Sequence, residues 1–180
     1  MTHPFFFLSE CFSYPETDTL AAKSRALVLL AQDFALDAPP ANEMSAHSLI
    51  DLQAEYVRLF INAADGVFAP PYASIYVNNT EILYQQGHDE AISFYSRAGM
   101  APLESEESPD HIAHELSFTG LLLDAGNHEL LADFLTGHLC VWYPGFLQRL
   151  RNARSYSFYR VLGKVTDLCL TQLRKEVVYE

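Results

Sequence analysis

Apolar residues recur at three- and four-residue spacings along most of this chain, the pattern of helices that bury one face. Phe5, Phe6, Leu8 and Phe12 predict a short first helix, capped by Thr2 and ended before Pro15. Leu20, Leu27, Leu30 and Phe34 predict a second, starting after Thr17. Residues 37–42 read as a loop, because Pro39 and Pro40 cannot sit inside a helix. Leu49, Leu52, Tyr56, Leu59 and Phe60 form the stripe of a third helix, begun by Ser45 or Ser48 and reaching Ile61. A long proline-containing loop is expected between about residues 63 and 79, around Gly66, Pro70 and Pro71. A helix resumes near His88 and ends at Gly99, and residues 101–107 read as another break. Ser108, Pro109 and Asp110 then read as N-cap, first-turn proline and first-turn acid. The helix they open carries Ile112, Leu116, Thr119 and Leu123 on one face. Residues 129–150 are expected to be helical with an interruption near Pro144 and Gly145. A last helix over residues 158–177 buries Val161, Val165, Leu168 and Leu173.

No long stretch alternates as a half-buried strand does. Residues 73–77 read as extended, but one isolated strand has nothing to pair with. The expectation is an all-α fold, a single-domain compact helical bundle over residues 1–180 with mostly antiparallel neighbours.

Composition narrows the function. The 180 residues are 49% hydrophobic and 13% aromatic, enough for a core without disulfides or metal. The net charge is −12, from 11 Lys+Arg against 23 Asp+Glu. Nucleic-acid binding needs basic patches that displace counterions, so that class is excluded as an expectation. An acidic surface attracts basic partners, and it also simply keeps proteins soluble. Cys11, Cys140 and Cys169 are odd in number and far apart, so free thiols are expected. No apolar run approaches the ~18 residues of a membrane span, and the start lacks the basic segment of a signal peptide. A cytoplasmic location without stable membrane insertion follows as an expectation.

Three constellations carry candidate chemistry. In Pro70-Pro71-Tyr72-Ala73-Ser74-Ile75-Tyr76 the prolines stiffen the backbone ahead of two phenols and a hydroxyl. Such a loop suits peptide capture, since little ordering entropy is lost on binding, and serves equally as a rigid connector. In Asp110-His111-Ile112-Ala113-His114-Glu115, helical spacing puts His111 with Glu115 on one edge and Asp110 with His114 on the other. A small metal-dependent hydrolase built on His111, His114 and Glu115 is the rival reading. The order His-x-x-His-Glu, however, differs from the His-Glu-x-x-His of zinc proteases. A helix-start network of charges explains the segment more simply. Finally, His138, Trp142 and Phe146 fall four residues apart, where a lone tryptophan is more often core than site. Cys140 has no identifiable base, and no phosphate loop or dinucleotide fingerprint is present. No catalytic residue, no metal and no cofactor are assigned.

At these segments the sequence resembles the TorD/DmsD family of redox-enzyme maturation chaperones. The matching pieces are Phe12-Ser-Tyr-Pro15, Tyr56-Val-Arg-Leu-Phe60, Pro70-Pro-Tyr-Ala-Ser-Ile-Tyr76, Ala98-Gly-Met100, Glu107-Ser-Pro-Asp-His111, His138-Leu-x-x-Trp142-x-x-x-Phe146-Leu147 and Phe158-Tyr159. Their order and spacing agree along nearly the whole chain. The joint occurrence of Pro-Pro-Tyr and Glu-x-Pro-Asp-His is the specific part. The resemblance implies an all-α cytoplasmic chaperone, not an enzyme. It would hold the apo form of a molybdenum-cofactor oxidoreductase, through its twin-arginine signal peptide or its mature part, until cofactor is inserted. Peptide-binding residues implied by it are Pro70, Pro71, Tyr72, Ser74, Tyr76, Asp110, His111 and Trp142. Asp110 is expected to pair with an arginine of the peptide. Residue 76 is Tyr where some relatives carry Trp, and His114-Glu115 is not part of the family motif. A homodimer, including one swapped through the long loops, is compatible with this reading.

Overall fold

The computed structural model describes residues 3–62, 69–77, 86–101 and 107–179. Every named element among them is helical: α1 (Phe5–Phe12), α2 (Leu20–Asp33), α3 (Ala41–Met44), α4 (Leu49–Tyr56), α5 (Ala73–Tyr76), α6 (Gln86–Arg97), α7 (Ile112–Asp124), α8 (His128–Phe134), α9 (Cys140–Asn152) and α10 (Ser157–Tyr179). Two π-helical turns, Val57–Ile61 and Leu135–Leu139, continue α4 and precede α9. The all-α expectation holds. Thr2 and Gly66, with the parts of the expected breaks at 63–68, 78–79 and 102–106, lie outside the described residues.

The described residues cluster into two compact units. The first holds α1, the described part of Pro71–Gly145, and α10 from Cys169 onward; the second holds the described part of Ser13–Pro70 and of Phe146–Leu168.

In the first unit α7 is buried on several sides. Ile112, Ala113, Glu115, Leu116, Phe118, Thr119, Gly120 and Leu122 are all buried, and the inward position in the last turn is Leu122 rather than Leu123. A helix covered on several sides carries apolar residues round much of its circumference, which is why its stripe is broad. α1 crosses it closely: Ser9 donates its hydroxyl to the Ala113 carbonyl at 2.6 Å. Phe6 lies over Gly120, where an added Cβ would stand 2.9 Å from the Phe6 ring. Phe94 of α6, Phe118 of α7 and Phe134 of α8 form an edge-to-face cluster with centroids 5.2 and 5.0 Å apart. Such contacts add roughly 0.5–1.5 kcal/mol each beyond area burial.

The second unit is organised by α4 and its π extension. Ser48 caps α4 through a capping box with Asp51. Tyr56 and Phe60 pack edge-to-face at 4.9 Å, and Phe60 meets Tyr159 of α10 at 5.3 Å. Glu55, buried here, accepts two bonds from the Arg58 guanidinium at 2.7 and 3.0 Å and one from the Tyr156 backbone N–H at 2.8 Å. Arg58 also donates to the Ala153 carbonyl at 3.1 Å, so the pair holds the turn between α9 and α10. That turn includes Arg154 at φ 48°. Tyr14, Ile50, Gln53, Ala54, Val57, Arg58 and Asn62 line an open groove of about 530 Å³ on this unit.

Several expectations are corrected. Residues 37–42 are not wholly loop, since α3 begins at Ala41 with Pro40 as its N-cap, a place where proline loses nothing. The inward seam of α2 is Leu20, Ser24, Leu27 and Ala31, while Leu30 and Phe34 are half-buried. Leu168 is likewise half-buried, and Thr166 and Cys169 face inward beside it. Residues 73–76 form a helical turn, not an extended segment. Pro144 lies inside α9 without ending it. The irregularity falls instead at Leu135–Leu139, a π turn directly upstream of α9. The helix after Ser108-Pro109-Asp110 starts later than the motif suggests. Ser108 is not the N-cap; His111 is, and its ring nitrogen accepts from the Ala113 N–H at 3.2 Å.

α6 reaches the α5 turn through Gly87. A Cβ there would stand 2.5 Å from the Ser74 nitrogen and 2.7 Å from the Ala73 carbonyl carbon, both backbone atoms that cannot swing aside. Gly87→Ala is therefore expected to cost about 1–3 kcal/mol, measured as a lower urea midpoint with an unchanged slope.

Candidate functional site

Within the first unit the two motif segments meet, and one carboxylate joins them. The Asp110 side chain is fully buried. Its Oδ2 accepts from the Ser74 backbone N–H at 2.8 Å and from the Ser74 hydroxyl at 2.5 Å, and its Oδ1 accepts from the Ser108 hydroxyl at 2.5 Å. The backbones cross-link too: the Ala73 N–H donates to the Asp110 carbonyl at 3.0 Å and the Ile112 N–H to the Pro71 carbonyl at 2.8 Å. Tyr72 and His111 form an isolated antiparallel bridge, their rings edge-to-face at 5.0 Å. This bridge holds His111 extended, at φ −70° and ψ 138°, the geometry an N-cap requires. That is why the helix cannot start at Ser108. A turn closed by the His111 N–H on the Ser108 carbonyl at 2.9 Å comes first.

The exposed part of this arrangement is aromatic. Tyr72 is half-buried and donates its hydroxyl to Glu107 at 2.6 Å. Tyr76 is half-buried and stacks on Trp142, with centroids 5.7 Å apart and planes 18° from parallel. Gly145, three residues along α9, leaves room for the Tyr76 ring: a Cβ there would stand 3.0 Å from its Cδ1. Beneath the stack is a buried polar network. The Trp142 indole donates to Glu115 Oε2 at 2.9 Å. His138 Nε2 meets Glu115 Oε1 at 2.8 Å, and His138 Nδ1 meets Glu90 Oε2 at 3.0 Å.

The protonation states follow from this geometry. A neutral imidazole has one N–H, so a ring facing a carboxylate from each nitrogen is favoured as the imidazolium. Burial alone would lower the His138 pKa, but Glu115 and then Glu90 outweigh it and bring it up to about 9. Burial pushes Glu115 upward, opposed by His138 and Trp142. His111 behaves oppositely. Complete burial, aided by neighbouring His114, drives its pKa down to about 3 despite Asp110, so it is neutral. Its Nδ1 accepts from Ala113, which leaves the proton on Nε2, a buried atom without a hydrogen-bond partner among the described residues. His114 is half-buried and its pKa is also lowered by burial.

The predicted site residues therefore divide. Ser74, Asp110, His111 and Trp142 are brought together but buried, so they shape the site from beneath. Asp110 in particular is fully buried and already accepts three bonds from Ser74 and Ser108. Tyr72 and Tyr76 offer surface. Pro70 and Pro71 are buried, and Pro70 clusters with the second unit. Glu115 does not pair with His111 along one helix edge: its oxygens turn to His138 and Trp142, leaving no shared ligand set with His111 and His114. Among the described residues, no group of three or more His, Cys, Asp or Glu is arranged to hold a metal ion. Asp110 precedes α7, so the helical spacing that paired it with His114 does not apply. Glu90 and the partnership of Glu115 with His138 escaped the sequence reading. The available signal was a glutamate flanked by Ile112, Leu116 and Phe118, since a buried carboxylate requires partners.

Asp110, Glu115 and His138 are thus engaged internally, beneath a pinned loop that presents tyrosines. That arrangement suits a helical binding protein. The chain belongs to the family described as "Nitrate reductase delta subunit", whose model matches residues 17–148, and with it to the TorD/DmsD chaperones of redox-enzyme maturation. It is 25% identical to the Tat proofreading chaperone DmsD of Salmonella typhi over 142 residues, covering 78% of this chain and 69% of that one. It is 30% identical to the chaperone protein TorD of Photobacterium profundum over 122 residues, 61% of this chain and 56% of that one. Among solved structures it is similar to a putative redox enzyme maturation protein from Archaeoglobus fulgidus, with TM-score 0.61, 28% identity, and coverage of 98% of this chain and 93% of the other. No helix among the described residues is long and apolar enough to cross a membrane.

Two pH limbs are expected. His138, with its folded pKa raised from 6.5, adds stability that is full below 6.5 and is lost as pH rises through about 9. His111, with its folded pKa lowered, adds stability that is full above 6.5 and is lost as pH falls toward about 3, because only the unfolded chain takes up the proton. Denaturant unfolding against pH should show both slopes. His138→Gln should remove the alkaline one. His111→Asn, which keeps an N-cap acceptor, should flatten the acid one.

Proposed function

We propose that this chain holds the apo form of a molybdenum-cofactor oxidoreductase in the cytoplasm, by binding its twin-arginine signal peptide, until the cofactor is inserted. The observation that carries this reading is the loop of Pro71–Tyr76, clamped by Asp110 so that Tyr72 and Tyr76 stay in fixed positions at the surface. A pre-ordered aromatic surface loses little entropy when an extended peptide docks. The net charge of −12 supplies the complementary field for a peptide with a basic start. The relatives add support through their descriptions: one is a Tat proofreading chaperone and another a redox enzyme maturation protein. In this reading Tyr72 and Tyr76 touch the peptide, and buried Pro71 stiffens the backbone that carries them. Ser74, Asp110, His111 and Trp142 act by holding the tyrosines in place.

Calorimetry with a synthetic signal peptide, two consecutive arginines followed by an apolar stretch, tests the proposal. Tyr72→Ala and Tyr76→Ala should each weaken binding about tenfold or more, with an unchanged far-ultraviolet spectrum. The association rate should fall as salt is added, as expected for an acidic surface steering a basic ligand. Pull-downs with client lacking its signal sequence separate this reading from one in which the mature enzyme is gripped. Capture undiminished without the signal sequence would overturn the signal-peptide assignment.

A further inference from the structure

An unbroken series of contacts leads from a surface carboxylate to the recognition loop. Glu90 on α6 is one-third exposed, at 32%. It meets His138, whose other nitrogen meets Glu115 on α7. The second oxygen of Glu115 accepts from the Trp142 indole on α9, and that indole lies flat against Tyr76. Trp142 and Gly145 lie three residues apart on one face of α9 and together frame the slot that Tyr76 occupies.

We propose that Glu115, anchored by His138, is a positioning residue for peptide recognition: it fixes the Trp142 indole as the platform against which Tyr76 is held. This rests on the reading of the loop given above.

A buried ion pair gives little net stability over apolar side chains of the same volume, because desolvation offsets the attraction. It does give direction. An indole surrounded only by apolar groups can settle in more than one rotamer, whereas a single buried acceptor selects the one that satisfies its N–H. Glu115 in turn would be free to choose between partners were its other oxygen not held by His138. The rings of Phe94 and Phe134 pack around His138 at 5.9 and 5.6 Å and keep water from substituting. Titratable groups acting on this couple are Glu90 from α6, Asp110 from the turn before α7, and the Tyr95 hydroxyl, whose own pKa is raised well above its ordinary value by burial and then by Glu115.

Trp142 is the chain's only tryptophan, so its emission reports on the platform alone. The experiment uses the full chain and the synthetic twin-arginine peptide named above. Glu115→Leu removes the acceptor. It should shift the tryptophan emission, reduce the near-ultraviolet dichroism of the Tyr76–Trp142 stack, and weaken the peptide about tenfold. Glu115→Gln should restore all three readouts. Its carbonyl can accept from the indole and its amide can donate to a neutral His138, whose remaining N–H still faces Glu90. The double variant with Tyr76→Ala should show no additional loss from Glu115→Leu, because Glu115 acts through Tyr76. Wild-type emission and affinity in Glu115→Leu, or full additivity in the double variant, would overturn the proposal. Should Glu115→Leu fail to fold, Trp142→Phe takes its place: the ring remains and the directing N–H is gone. A tenfold weaker peptide then supports the proposal, and unchanged affinity overturns it. If the wild-type chain does not bind the peptide, the reading of the loop fails, and emission with dichroism alone decides the positioning claim.

Discussion

The site depends on one buried carboxylate. Asp110 takes three donors from two serines on separate segments and offers its own backbone carbonyl to a third residue. A carboxylate out of water is costly unless its lone pairs are filled, so the loop at Ser74 and the turn at Ser108 must close together or not at all. Charge-assisted bonds of this kind are roughly twice as strong as neutral ones. Closure in turn sets the Tyr72–His111 bridge, delays the start of α7 by three residues relative to Ser108, and puts the Tyr72 and Tyr76 rings at the surface.

A second buried acid does comparable work one helical turn further on. Glu115 is surrounded by apolar residues of α7, and its cost is met by an imidazolium and an indole. The two acids thus control the two aromatic contacts of the loop: Asp110 the backbone beside Tyr72, Glu115 the platform under Tyr76. The second unit repeats the device with Glu55 and Arg58, which hold the α9–α10 turn. Asp110 and Glu55 thus each fasten, with several donors, an irregular segment that has no ladder of its own.

The network also explains why His111, His114 and Glu115 do not converge as their order in the sequence suggests. A histidine three residues before another and adjacent to a glutamate suggests a metal or base. In space the three diverge. His111 turns its Nδ1 to cap α7, His114 stays partly exposed, and Glu115 points to another helix. Each is assigned by a different packing partner, and no shared ligand geometry remains.

The sequence by itself determined the helices and the two segments that matter. Periodic apolar spacing located α1, α2, α4, α7 and α10, because amphipathicity is a local property of side-chain order. The prolines at 70 and 71 and the Ser-Pro-Asp-His run marked the site for the same reason. What only the tertiary structure decided is which side chains face outward. Asp110, Ser74 and His111 are polar by composition and would be read as contact residues, yet they are buried because they satisfy one another across distant stretches of chain. Glu115 found His138 and Trp142 on other elements, pairings no spacing along α7 encodes. Pro144 stayed within α9, and a π turn formed at Leu135–Leu139 that no local pattern announced. Local pattern fixes elements, whereas the partner that makes a buried charge tolerable is a long-range choice.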